Sequence, residues 1–221
     1  PRGTARACVF FYLNGAPSHV DTFDVKDGPW NPRDAGNQQF HGGIALSTAM
    51  FPRLSQMTGD MCILRSVRSW EAAHDRAVFY TQTAHPSNPA FVIETPHMGA
   101  VIASEKANSG PMPPFLLLDS GGSATQGSAF LGGRASPMLA SANQSVIQTM
   151  EHNYFGTDSP RRFEERFAML RDLDSSLIAK TRDRAISNHG AYYDSAKRLM
   201  YDPGIANIFR LNKEDGSHYG D

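Results

Sequence analysis

Polar residues with ligand or catalytic chemistry follow two apolar runs of this chain. One group lies within the stretch LNGAPSHVDTFD and comprises Asn14, Ser18, His19, Asp21 and Asp24. A second group comprises Arg65, just after the run MCIL, and His74, Asp75 and Arg76. Carboxylate, imidazole, hydroxyl and amide groups together make up the ligand set of a divalent-metal or phosphate site. The two groups therefore predict a site for a metal or an anion if the fold brings them together.

Each of these residues also has an ordinary structural interpretation. Asn14-Gly15 is a common turn sequence, and Asp21 and Asp24 are of the type that binds nearby backbone amides in a loop. His74 is equally suited to beginning a helix. The remaining candidates, His85, His97 and His152, lack the spacing of metal ligands, so they are interpreted as structural or surface groups.

The elements around these residues predict an α/β domain. Three apolar runs, 7–13, 61–67 and 113–119, have the character of buried strands. Helices are predicted from Ser47 or Thr48 to Gly59, from near His74 to a point before Pro86, and after Pro96. Since ligand sites of open α/β sheets lie beyond the carboxyl ends of the strands, both polar groups fall at the expected place. Asp119 and Ser120, after the third run, belong to the same edge.

The last third of the chain differs in composition and in the spacing of its apolar residues. Residues 121–160 are rich in Gly and Ser in their first half and predict a loop with a short edge strand at SAFLG, residues 128–132. Beyond Pro160, apolar residues recur every three to four positions and predict an amphipathic helix. A second helix is predicted at roughly Arg184–Tyr201, and a short third one carries Ile205, Ile208 and Phe209. The chain is thus divided into a sheet core at 1–120, a loop region at 121–160 and a helical segment at 161–221.

Composition excludes several classes of protein. Twenty-one basic and 22 acidic side chains give a formal net charge of -1, so no nucleic-acid or anionic-membrane partner is expected. No apolar run approaches the roughly 20 residues of a membrane helix. Cys8 and Cys62 lie in apolar runs and are expected to be buried. The chain has no P-loop, dinucleotide fingerprint, Gly-x-Ser-x-Gly elbow, CxxC pair or HExxH helix.

Two of these segments, taken together, resemble a known family. FFYLNGAPSHVDTFD, followed by ILRSV and HDRAVFYTQTAHP, is similar to the exported bacterial proteins of DUF1501, a sulfatase-like branch of the alkaline-phosphatase-like superfamily. The resemblance extends through PHMGAVIASE and PPFLLL to the helical tail. It implies a three-layer α/β/α sandwich with a mainly parallel sheet and a helical C-terminal excursion, of which this chain is the N-terminal part.

The resemblance also implies site residues and a chemistry. Asn14 falls where relatives carry an acidic metal ligand, and Thr83-Ala84 falls where they carry Thr-Gly at the end of the helix that bears the nucleophile. This places His74 at or near the nucleophile or ligand position. The implied metal ligands are Asn14, Asp21, Asp24 and His74, for zinc, calcium or magnesium. The implied catalytic groups are His74, Asp21 and Arg76, and the implied substrate contacts are Ser18, His19 and Arg65.

Departures from the family pattern leave two functions open. Asn14 is neutral, so a metal at this place has one carboxylate fewer, and His74 is neither the Ser or Thr of phosphatases nor the Cys of sulfatases. One expectation is a metal-dependent hydrolase of small phosphate or sulfate esters, exported to the periplasm or beyond by a twin-arginine leader. The other is a non-catalytic binding or scaffold protein that has lost the metal site. The oligomeric state is not predicted.

Overall fold

The structure is a computed structural model that describes residues 4–13, 15, 17–26, 28–106, 112–118, 127–140, 159–181, 184–202, 204 and 216–218. The chain divides into two compact units, Pro1–Trp70 and Glu71–Asp221. Both contain short strands and helical segments, so the predicted mixture of helix and strand is confirmed.

The first unit is organised around a short antiparallel hairpin. Strand β1 (Asn37–Gln39) pairs with β2 (Ala45–Ser47), and β2 is buried along its whole length. The hydroxyl of Ser47 donates a hydrogen bond to the carbonyl of Ala35 over 2.5 Å and accepts one from the N–H of Met50 over 3.1 Å. The next helical segment is a 3-10 helix, Leu54–Asp60, in place of the α-helix predicted to stop at Gly59.

The two apolar runs of the first unit are not strands, and their predicted burial is wrong. Residues 7–13 and 61–67 take up no strand pairing, and Phe11 and Leu64 are 83% and 72% exposed. A buried strand needs a hydrogen-bonded neighbour and a cover on each face; the two described strands of this unit pair with each other. Cys8 and Cys62 lie in these runs and are free and exposed, which corrects their predicted burial.

The second unit contains the predicted helix after residue 73 and the third predicted strand. Helix α1 (His74–Thr83) and helix α2 (Met98–Glu105) precede strand β3 (Leu116–Leu118). Strand β3 pairs in parallel with β4 (Met138–Ala140). The edge strand predicted at SAFLG, residues 128–132, is wrong, because Ala129–Leu131 forms a 3-10 helix there. The core of this unit is a small cluster of Ala100, Phe115 and Ala135.

Two long helices follow, as their periodicity predicts. Helix α3 (Pro160–Thr181) and helix α4 (Arg184–Tyr201) contact each other through paired side chains. Glu164 meets Lys197, Phe167 meets Tyr193, and Arg171 meets Asp194. From Glu164 to Arg171 the ion-pair partner moves back from Lys197 to Asp194, so the helices run antiparallel. The third predicted helix lies outside the described residues.

His97 is a structural residue, in agreement with its interpretation from sequence. It is 4% exposed, and its ring stacks on Phe115 with 4.9 Å between centroids. Its Nδ1 accepts the N–H of Gly99 over 2.8 Å, so the imidazole caps the first turn of α2. Burial disfavours the charged imidazolium and lowers the pKa of His97 from its ordinary value of 6.5.

We expect this lowered pKa to make stability depend on pH. Above pH 6.5 the imidazole is neutral in both states, whereas below it the unfolded chain takes up a proton that the folded chain resists. The free energy of unfolding should therefore fall as the pH is lowered from about 7.5 to about 5.5. Urea unfolding measures this loss, which His97→Asn should reduce because Asn keeps an acceptor at the cap but does not titrate. His85→Asn, at an exposed histidine, is the control; an unchanged pH dependence in His97→Asn would contradict the assignment.

Candidate functional site

The first polar group lies on a loop that is folded by local hydrogen bonds. A 3-10 turn, His19–Asp21, is followed by the N–H of Asp24 donating to the carbonyl of His19 over 2.8 Å. The buried hydroxyl of Thr22 donates to the carbonyl of Ser18, also over 2.8 Å. Ser18 and His19 thus shape the loop through main-chain groups, while their side chains are exposed. Neither carboxylate of this loop accepts a backbone N–H from a described residue, so neither acts there as a local cap.

The carboxylate of Asp24 is held by cations. Lys26 Nζ donates to its Oδ1 over 2.9 Å, and Arg65 NH1 lies 3.9 Å from the same oxygen. The hydrogen bond from Lys26, helped by the charges of Lys26, Arg65 and His19, lowers the pKa of Asp24 below its ordinary value. Asp24 and Arg65, predicted separately as a metal ligand and a substrate contact, are therefore brought together, but as partners of each other.

These residues do not form a metal site on their own. Across the residues that the structure describes, no group of three or more His, Cys, Asp or Glu is placed to hold a metal ion. A divalent cation at Asp24 would also have to approach Lys26 and Arg65, whose like charge opposes it. Asp21 has no side-chain partner among the described residues of the chain, and Asn14 lies outside them. The loop as described therefore does not fit the metal that the family resemblance implies.

The second polar group is built on the start of α1. His74 is the first residue of this helix and is exposed, and Ala73 before it supplies no side-chain cap. The first N–H groups of an α-helix have no partner within the helix. They form, with the helix dipole, a favourable place for an anion. An imidazole and a set of amide donors thus share one helix terminus.

Glu71 already supplies a negative charge at this terminus. Its carboxylate accepts the N–H of Ala73 over 2.9 Å and two donors of Arg76, Nε and NH2, over 2.8 and 3.0 Å. The hydrogen bonds from Arg76, and next that from Ala73, lower the pKa of Glu71 to about 2. Arg76 is therefore engaged with Glu71, and its own pKa is raised by the same contact. Sequence reasoning did not select Glu71, although an acidic residue just before a helix start is a recognisable signal.

The far end of α1 is closed by the hydroxyl of Thr83 and a left-handed residue, Ala84. The buried hydroxyl of Thr83 donates to the carbonyl of Phe79 over 2.8 Å and accepts the N–H of His85 over 3.2 Å. Ala84 follows in the left-handed conformation, with φ 59°, and its N–H bonds to the carbonyl of Tyr80. Glycine takes up this conformation without strain, whereas alanine does not.

The sequence-predicted residues belong to different units. Ser18, His19, Asp21, Asp24 and Arg65 belong to the first unit, and His74 and Arg76 belong to the second. Asp119 and Ser120 lie outside the described residues. Among the helices that are described, none is long and apolar enough to cross a membrane.

We predict that Ala84→Gly stabilises the protein. Relief of the left-handed strain, about 1–2 kcal/mol, outweighs the greater freedom of glycine in the unfolded chain, so a net gain of about 0.5–1 kcal/mol is expected. Urea unfolding gives the free energy. Ala77→Gly makes the same change inside α1 and should instead cost about 1 kcal/mol. A loss at both positions would show that Ala84 is not strained in the folded protein.

The chain was also compared with known proteins. Neither the curated proteins nor the solved structures contain a match to it. The family model described as "Protein of unknown function (DUF1501)" matches residues 5–219, which is nearly the whole chain. The match covers the loop with Asp21 and Asp24, the start of α1 at His74 and the helices α3 and α4. On this match, the chain belongs to the DUF1501 family.

Proposed function

We propose that this protein hydrolyses small esters of phosphate or sulfate, and that His74 is the residue on which the chemistry depends. The observation that carries the proposal is the exposed imidazole on the first residue of α1, beside amide N–H groups that have no partner within the helix. Such a terminus attracts the anionic group of an ester, and the imidazole then lies next to the phosphorus or sulfur atom. The sulfatase-like, three-layer α/β/α architecture and export from the cytoplasm are parts of the same proposal.

The imidazole has two roles that suit this reaction. As a nucleophile, a ring nitrogen bonds to phosphorus or sulfur while the ester oxygen leaves with a proton, and water later cleaves the new bond. As a general base, the imidazole takes a proton from the attacking water and returns it to the leaving oxygen. Arg76 follows two positions later on α1 and supplies paired donors for the anion once it is released from Glu71.

The predicted residues of the first unit keep, in this proposal, the roles that the family resemblance implies. Asp21, together with Asn14, is assigned to hold a cation, and Ser18, His19 and Arg65 are assigned to the substrate. Since the described residues do not by themselves fit a divalent metal, no step of the reaction is routed through one. Zinc, calcium and magnesium are tested as additions in the assay.

A second function is supported by a specific observation. Two predicted site residues, Asp24 and Arg76, are engaged in ion pairs with Lys26 and Glu71. In a protein that no longer catalyses hydrolysis, former site residues can form such structural ion pairs at no cost to activity. On this second proposal the protein is a non-catalytic binding or scaffold member of the family.

Activity of the His74→Ala variant distinguishes the two functions. We expect the full-length protein to hydrolyse aryl phosphate or aryl sulfate, with or without added metal, and His74→Ala to lose about 10²-fold or more in kcat. His85→Ala changes another exposed histidine of the same unit and should keep its activity. Absence of turnover in the full-length protein with every metal, or an unaffected His74→Ala, would favour the non-catalytic function. If the imidazole is the nucleophile, protein incubated with a radiolabelled ester should carry label that is released in acid.

We predict that Glu71→Gln strengthens the binding of inorganic phosphate. The ionised carboxylate of Glu71 occupies the helix terminus and both donors of Arg76, so it competes with an anionic ligand. Removing its charge should tighten the inhibition constant of phosphate about two- to fivefold. Glu94→Gln changes an exposed glutamate of the same unit and is the matched control. Weaker inhibition in Glu71→Gln would mean that Glu71 positions Arg76 for the substrate rather than competing with it.

A further inference from the structure

A charged cleft lies between α3, α4 and the turn Gly133–Ala135, all within the second unit. Its volume is about 690 Å³, within the usual range for pockets that hold small molecules. The residues that line it are Arg134, Glu164, Ala191, Asp194, Lys197 and Arg198. None of them belongs to the site described above.

The positive charges of this cleft exceed its negative charges. Three cations line it against two carboxylates, and both carboxylates already have partners. Glu164 accepts a hydrogen bond from Lys197 over 2.5 Å. Asp194 accepts one over 2.5 Å from Arg171, a fourth cation that does not itself line the cleft. The carboxylates are thus neutralised, and the two arginines of the lining are left to determine its charge.

Contacts with the described residues leave the donors of these two arginines largely unused. Arg198 NH2 donates one hydrogen bond, over 3.2 Å, to the hydroxyl of Ser195 in the preceding turn of the helix. Arg134 has no ion-pair or hydrogen-bond partner within the described part of the chain. A guanidinium group carries five N–H donors in a planar fork that matches phosphate, sulfate and carboxylate oxygens. Two such groups in the lining of one cleft, one on the turn Gly133–Ala135 and one on α4, suit a ligand with two negative charges.

The fold fixes Arg134 at the cleft. The preceding residue, Gly133, lies so close to α4 that a Cβ atom would collide with the carbonyl oxygen of Asn188. On the other side of Arg134, Ala135 is buried in the core of the unit. The backbone on both sides of Arg134 is therefore held, so the point from which its side chain extends is fixed at the cleft.

We propose that this cleft is a binding site for a small molecule with a phosphate or sulfate group, held by Arg134 and Arg198. The site is separate from His74 and does not depend on the proposed hydrolase activity. Lys197 remains paired with Glu164 and neutralises the charge of that carboxylate in the lining. Ala191 and the stems of the charged side chains leave room for the body of the ligand.

Calorimetric titration of the full-length protein with inorganic phosphate and with sulfate tests the proposal. We expect saturable binding that Arg134→Ala and Arg198→Ala each weaken about tenfold or more, because each variant removes a charge-assisted pair of donors. Arg161→Ala, at an exposed arginine of α3 that does not line the cleft, should bind as the wild type does. His74→Ala should also leave this binding unchanged. Thermal unfolding of each variant verifies that it is folded.

Several outcomes would overturn the proposal. The first is absence of binding of both anions at millimolar concentration. The second is binding that Arg134→Ala and Arg198→Ala leave intact. Binding that is lost in His74→Ala but kept in the arginine variants would place the anion at α1 instead, and would support the proposed function while rejecting this site. Gly133→Ala, if it folds, should weaken phosphate binding although it changes no charge.

Discussion

The close approach of Gly133 to Asn188 joins the parts of the second unit. A side chain at residue 133 would collide with the backbone carbonyl of α4, so this contact exists only because glycine has no Cβ. Through the contact, α4 is held against the turn that carries Ala135 into the core beside Ala100 and Phe115. From the same turn the chain enters β4, which pairs with β3. The helix pair, the small parallel sheet and the charged cleft therefore all depend on this close contact between Gly133 and Asn188.

Ion pairs engage several acidic side chains of the structure. Asp24, Glu71, Glu164 and Asp194 each accept a donor from a neighbouring cation. These four carboxylates thus have local partners, whereas Asp21 has no side-chain partner among the described residues. A cation that approached any of the four would have to compete with the partner already there.

The sequence predicted helices better than strands, and the reason is physical. The periodicity of α3 and α4 is visible in a local window because a helix satisfies its own backbone. A strand depends on a partner that the local sequence does not contain. The run at 113–119 contains β3, which has β4 beside it, whereas the equally apolar runs at 7–13 and 61–67 have no described partner. Hydrophobicity alone therefore did not distinguish a strand from an exposed segment.

The same distinction applies to the sites. The position of His74 at the start of a helix was predictable because a helix start is a local signal, and Glu71 lies within the same window. The cleft was not predictable, since Arg134, Glu164 and Arg198 are far apart in the sequence and form no motif. Likewise, the pairing of Asp24 with Lys26 and Arg65 required a fold that brings residue 65 back to residue 24.

The contacts between α3 and α4 are of two physical kinds, and salt affects them differently. Arg171 and Asp194 form a largely exposed ion pair, which dissolved ions screen once the Debye length falls to about 3 Å near 1 M salt. The edge-to-face contact between Phe167 and Tyr193, with 6.4 Å between centroids, is not screened. Concentrated sulfate or phosphate strengthens the burial of such rings. At high salt concentration α3 and α4 are therefore held together mainly by their aromatic contact, and their ion pairs constrain the alignment of the two helices less.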